Sequence, residues 1–275
     1  MSNLQTNIEN YLKYCEEQKR LDYKTLKAYR IDLSQFCQDI STPNVTDITS
    51  TMLENYISKL HRKYKPKTVK RKIASMKALF HYFEYREIID LNPFNKILIK
   101  FREPTNLPKI IPLNTVEEML STIYIKKAVA KTTYQKRNAL RDAATIELLF
   151  ATGMRISELC SLQVDDVNLE DGTILISGKG SKERRLQIGN IEVLNILKEY
   201  RLDFSKEIAN CGHFFANQSG HPLSDQTVRR IINKYTSLAS ISQHITPHMF
   251  RHTFATSLLD ADVDIRYIQE MLGHS

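Results

Sequence analysis

The stretch NPFNKILIKFREPTNLPKIIPLN, from Asn92 to Asn114, decides how the chain is divided. It carries Pro93, Pro104, Pro108 and Pro112. Each proline removes a backbone donor and turns the residue before it away from helical geometry. Four of them so close together break any helix, so the stretch reads as a connection between two folded parts. The length permits this, because 275 residues of which 42% are hydrophobic suffice for one large domain or two ordinary ones. We expect a first domain over residues 1–87, a linker over 88–107 and a second domain over 108–275.

Working outward toward the N-terminus, apolar residues recur at helical spacing. Ile8, Leu12 and Cys15 form one set, Leu26, Tyr29 and Leu33 a second, and Val69, Ile73, Met76, Phe80 and Phe83 a third. This predicts a small helical bundle, with Pro66 favouring a helix start. Between Asn55 and Phe83 there is no acidic residue, while Lys59, Arg62, Lys63, Lys65, Lys67, Lys70, Arg71, Lys72 and Lys77 fall inside it. On a helix beginning near Lys67, Lys70, Lys77 and His81 share a face with it, while the apolar set shares another. A basic face of this kind is often simply solvated, but here no acid lies along the same helix to pair with it, so we expect Lys67, Lys70, Arg71 and Lys77 to meet phosphates.

Toward the C-terminus, PLNTVEEML reads as a helix start in which Asn114 or Thr115 caps and Glu117 and Glu118 occupy the first turn. More helices follow, interrupted once by TILISGKGSKERRLQI, where Thr173–Ser177 and Glu183–Ile188 read as a β-hairpin with a lysine, Lys179, at its tip. The expected fold is mainly α with one small β-hairpin.

Composition narrows the function. Lys and Arg number 39 against 31 Asp and Glu, a formal charge of +8, which favours a polyanionic partner. No stretch approaches the apolar length of a membrane span and the opening residues lack the pattern of a secretion signal, so a cytoplasmic protein without a membrane partner is expected. Cys15, Cys37, Cys160 and Cys211 are far apart without a C-x-x-C pair and read as reduced structural thiols.

Two motifs carry candidate chemistry. In LLFATGMRISELCSLQVDDV, Gly153 permits the left-handed turn that ends one helix, which puts Arg155 at a corner with Glu158 three residues on. That pair is either an ordinary ion pair or part of an anion site. In HITPHMFRHTFATSLL, Pro247 favours a helix whose first turns hold His248, Arg251 and His252, where backbone N–H groups already favour anions. The four-residue spacing of His244, His248 and His252 also allows a zinc reading, but no acidic residue lies nearby to complete such a site, and we expect no metal. Arginines and a lysine around one anion suit a transferring phosphoryl group, with a histidine to carry protons near neutral pH.

In this order and with these spacings, ATGMRISEL, ISGKGSKERRLQI, HMFRHTFAT and IQEMLGHS resemble the tyrosine recombinases, or phage integrases, and are most similar to the short Xer-type members. The resemblance spans essentially the whole chain. It implies a two-domain DNA clamp, with an N-terminal helical, SAM-like core-binding domain and a C-terminal catalytic domain. It implies a site-specific recombinase that cuts and rejoins double-stranded DNA through a 3′-phosphotyrosine and a Holliday junction, as a homo- or hetero-tetramer on paired sites, with no cofactor. By motif, Arg155 and Arg251 would clamp the scissile phosphate, Lys179 would protonate the leaving 5′-oxygen and His248 would handle the nucleophile's proton. His274 matches the last phosphate-contacting position, and Glu158 an acidic position that supports the site from behind. His252 is expected to be packed or capping, and Tyr267 to be structural. Since the family's nucleophilic tyrosine follows the LGHS histidine and the sequence ends at Ser275, the resemblance further implies a catalytic domain truncated before its nucleophile and a chain inactive alone. A non-catalytic DNA-binding remnant is the alternative.

Overall fold

The computed structural model describes residues 3–40, 42–99, 101, 109–177 and 183–273. The chain forms two compact units, Met1–Thr105 and Asn106–Ser275.

The first unit is built from α1 (Leu4–Glu17), α2 (Tyr23–Asp39), α3 (Ser50–Lys63) and α4 (Pro66–Tyr85). Local chemistry sets the helix starts. The Asn3 side chain accepts from the N–H groups of Gln5 and Thr6, Asp22 accepts from Lys24, and Pro66 occupies the first turn of α4, where a missing N–H costs nothing. Helix α4 is the centre of the unit. Its Val69, Ile73, Met76, Phe80 and Phe83 are buried, as the spacing predicts, and the Phe80 ring meets Phe36, Phe83 and Phe94. Residues expected in the connecting segment contribute here, because Phe94 is buried in this core and Ile88, Ile89, Ile97, Ile99 and Phe101 pack against it. Their apolar side chains gain more from burial than the prolines around them take away.

The second unit carries α5 (Leu113–Ala128), α6 (Thr133–Thr152), α7 (Ile156–Ser161), β1 (Val167–Asn168), β2 (Thr173–Ser177), β3 (Glu183–Gln187), α8 (Ile191–Asp203), α9 (Ser205–Cys211), α10 (Asp225–Leu238), α11 (Pro247–Asp260) and α12 (Ile265–Leu272). Helix α6 is buried along most of its length and packs against α5, α8 and α11. Helix α5 begins earlier than its sequence suggests. Pro112 is the residue before its first turn, so Asn114 and Thr115 lie inside the helix, and no acidic residue occupies that turn. Asn114 turns its side chain onto the neighbouring Thr115 N–H.

The hairpin strands pair as expected, with a third short strand, β1, added antiparallel to β2. The register sets Ile174 opposite Leu186 and Ile176 opposite Arg184. Alternation therefore places Arg184 on the inward face, in line with buried Ile176 and Leu186, while Arg185 points the other way.

All four cysteines are free thiols. No helix among the described residues is long and apolar enough to cross a membrane.

Candidate active site

Helix α6 ends at Gly153 in the left-handed conformation, with φ of 58°. Only glycine fits there. A Cβ would stand 2.6 Å from the ring of Phe254 on α11, so the missing side chain lets α11 close on the α6–α7 corner. The next residues start α7, with Arg155 at its cap and Glu158 in its first turn. Glu158 reaches back to accept from the Arg155 backbone N–H at 2.7 Å, and from the guanidinium at 2.8 Å. The Arg155 side chain is 40% exposed, so the corner leaves this arginine open to a ligand.

Arg251 arrives from the second turn of α11 and is buried. Its guanidinium donates to the Gly153 carbonyl at 3.2 Å and to the Leu272 carbonyl. Burial, and then the charge of Arg155, push its ionisation down to about 10, and it keeps its charge at neutral pH. A third arginine, Arg184 of β3, forks onto both carboxylate oxygens of Glu158 at 3.0 and 2.8 Å and donates from Nε to the Met271 carbonyl at 2.8 Å. Arg155 in turn reaches the Gly273 carbonyl at 3.2 Å. Three consecutive carbonyls at the end of α12 are thus each held by a different arginine. A helix end leaves such carbonyls without partners inside the helix, and its partial negative charge suits cations.

Two of the three guanidiniums, those of Arg155 and Arg184, share the Glu158 carboxylate. Burial alone would raise the Glu158 carboxyl, but the hydrogen bonds from Arg184 and Arg155 together hold it below its ordinary value. Among the described residues the rest of the positive charge meets carbonyl dipoles, an arrangement that suits an anion. His248 stands on α11 three residues before Arg251, partly open to solvent. Burial, then the charges of Arg229, His252, Arg251 and Arg155, depress its ionisation, so the imidazole stays neutral and ready to accept a proton.

Arg155, Glu158, Arg251 and His248 therefore belong to one neighbourhood. Lys179 and His274 lie outside the described residues. Two other sequence expectations are corrected. His252 is exposed rather than packed, because Arg251 and Thr253 on either side of it face inward. Tyr267 is 65% exposed rather than structural, since Ile268 and Leu272 form the buried face of α12. Arg184 is the member that reading the motifs missed. Its signal was strand parity, because Leu186 and Ile188 face inward and a residue two places before Leu186 must do the same. Among the described residues, no group of three or more His, Cys, Asp or Glu side chains stands ready for a metal.

In the first unit, Lys67, Lys70 and Lys77 are exposed on α4, with Arg71 beside them. Arg71 also bonds to Asp32 of α2. Buried Lys72 donates to the same carboxylate at 2.9 Å and to Gln35. The acid that the stretch from Asn55 to Phe83 lacks is thus supplied in part by another helix.

Comparison with known proteins bears on both units. Residues 118–275 match the phage integrase family and residues 8–87 match the phage integrase N-terminal SAM-like domain. A tyrosine recombinase of Agathobacter rectalis is 70% identical over 275 residues, covering 100% of this chain and 90% of its own. The tyrosine recombinase XerC of Thermodesulfovibrio yellowstonii is 33% identical, again covering 100% of this chain and 90% of its own. Among solved structures, the XerH site-specific recombinase bound to its difH substrate superposes with a TM-score of 0.74 at 23% identity, covering 98% of this chain and 77% of that one. A lambda integrase tetramer bound to a Holliday junction gives 0.75 at 18% identity, covering 100% and 78%. At these identities the two structures speak to the fold.

Proposed function

The chain belongs to the phage integrase family as a tyrosine recombinase, and from that premise we propose that the arginine site is the centre at which it cuts and rejoins DNA at a specific site. The observation that carries this is the excess of guanidinium over carboxylate at the end of α12. Cleavage begins when a tyrosine hydroxyl oxygen attacks the scissile phosphorus and passes its proton to neutral His248. Negative charge grows on the non-bridging oxygens, where Arg155 and Arg251 lie ready, and this preorganised charge lowers the barrier. The bond to the 5′-oxygen breaks, and Lys179 gives that oxygen a proton. The products are a 3′-phosphotyrosine and a free 5′-hydroxyl, whose attack on the partner strand's phosphotyrosine reverses the chemistry and builds a Holliday junction. His274 adds a further phosphate contact, and Glu158 holds Arg155 in place.

In this reading residues 1–87 are a core-binding domain whose Lys67, Lys70 and Lys77, with Arg71 beside them, hold the duplex by its phosphates. Residues 108–275 form the catalytic domain. The protein works in the cytoplasm, on double-stranded DNA and as a tetramer on paired sites. The likeness to tyrosine recombinases, together with the side-chain cations gathered at the site, supports this over a DNA-binding role without chemistry.

The test compares cleavage with binding. In the full-length recombinase on a nicked suicide duplex, Arg251→Ala should slow formation of the covalent protein–DNA product by about 100- to 1,000-fold, the usual cost of one preorganised donor. Its affinity for the same duplex should change far less. Equal losses in both measurements would make Arg251 an ordinary DNA contact.

A further inference from the structure

On the premise that this site cleaves DNA, we propose that Arg184 is a positioning residue of the centre, seating Arg155 and the last turn of α12 without meeting the DNA itself. All three guanidinium nitrogens are committed, Nε to the Met271 carbonyl and the two terminal nitrogens to opposite oxygens of Glu158. Its side chain is 11% exposed, against 40% for Arg155. The two arginines meet through Glu158. One carboxylate oxygen takes both guanidiniums, and the other takes Arg184 together with the Arg155 backbone N–H. Glu158 can thus hold Arg155 in one orientation only while Arg184 holds Glu158.

The second role lies at α12. Gly273 ends that helix with φ of 65°, and a Cβ there would stand 3.1 Å from the Arg184 guanidinium, so the backbone lies directly on this side chain. His274 follows in sequence. Arg184 therefore ties together three elements distant along the chain, β3, the α7 corner and the end of α12. A bidentate fork with a third donor at its base is what this needs, and lysine cannot supply it.

The experiment measures, in the full-length recombinase, the single-turnover cleavage rate at saturating duplex, the duplex Kd and the pH dependence of cleavage. Arg184→Gln should slow cleavage by about 10- to 100-fold, as expected of a displacement near an ångström at the reacting groups. Its Kd should stay within about threefold, since no phosphate contact is lost. Arg184→Lys should recover only part of the rate. The pH profile separates positioning from mere folding. The charges facing Glu158 are Arg155 from its own corner, Arg184 from β3 and Arg251 from α11. With Arg184 gone, burial dominates and Glu158 takes up a proton at higher pH, so the variant should gain rate as pH rises through a range where the parent is flat. Adding Glu158→Gln to Arg184→Gln should cost little more than the worse single change.

Three results would overturn the proposal. A Kd that weakens as much as the rate, with a shallower salt dependence, makes Arg184 a phosphate contact. A parent-like rate and profile leave it no role. A rate loss equal at every pH and matched by loss of folded protein makes it an ordinary support of the fold. Arg155→Ala serves as the control. If that variant still cleaves, the proposed centre itself fails, and if it is dead while Arg184→Gln is parent-like, only the positioning role fails.

Discussion

Asp32 in the first unit and Glu158 in the second each gather cations around a carboxylate, and these two gatherings end differently. In the first unit Asp32 is fully buried between α2 and α4, and it accepts from buried Lys72, from half-exposed Arg71 and from Ser75. The buried charges match one to one. In the second unit Arg184 and Arg155 share Glu158, and buried Arg251 makes no ion pair among the described residues, only bonds to the carbonyls of Gly153 and Leu272. A matched buried pair is costly to break but asks for nothing more. An unmatched buried arginine beside a half-exposed one keeps a demand for an anion, so the same residue types build a strut in one place and a receptor in the other.

The largest effect should come from breaking the strut. Asp32→Ala strands Lys72 in the core and should destabilise the first unit by about 3–5 kcal/mol, the typical cost of removing one partner from a buried pair. Amide exchange along α4 and α2 reads this directly, and slow exchange retained in the variant would mean the pair is not what joins those helices. A smaller effect belongs to the open face of α4. Replacing Lys67, Lys70 and Lys77 together with alanine should weaken binding to every duplex and lower the slope of log affinity against log salt by roughly one for each lysine that meets a phosphate. Identical slopes for variant and parent would reduce this face to solvated charge. The smallest effect sharpens the contrast. His248 should titrate below the ordinary histidine value of 6.5 in the free protein, because burial and the nearby arginines disfavour the imidazolium. Inorganic phosphate added at constant ionic strength should move that midpoint upward, since an anion favours the charged ring. Resonances of α2 and α4 around Asp32 should stay still; their moving together with His248 would erase the distinction between strut and receptor.

Much of this was legible before the structure. The α4 faces followed from helical spacing, and the corner at Gly153 and the start of α11 at Pro247 followed from single residues whose backbone preferences act locally. Strand β2 followed from its β-branched residues, and β3 from its place across the turn. What escaped was set by partners far away in sequence. Asp32 serves cations 39 and 40 residues on, and Arg184 bridges to partners 26 and 87 residues away. No local pattern marks such meetings. Tyr267 and His252 failed for a related reason, since which side of a helix faces inward depends on what it packs against. Helix α12 buries Ile268 and Leu272, with Met271 half-buried against the same core.

The pairing of β2 with β3 sets a rule for anyone who would transplant this hairpin between recombinases to change their behaviour. Arg184 faces the site because it stands opposite Ile176, and parity in a strand has only two values. A graft that slips the pairing by one rung sends the guanidinium outward and brings Glu183 or Arg185 into its place. A slip of two rungs keeps it inward but moves it by about 7 Å, out of reach of Glu158. Chimeras made at this hairpin should therefore be sorted first by register, before any attention to the identity of the residues they import.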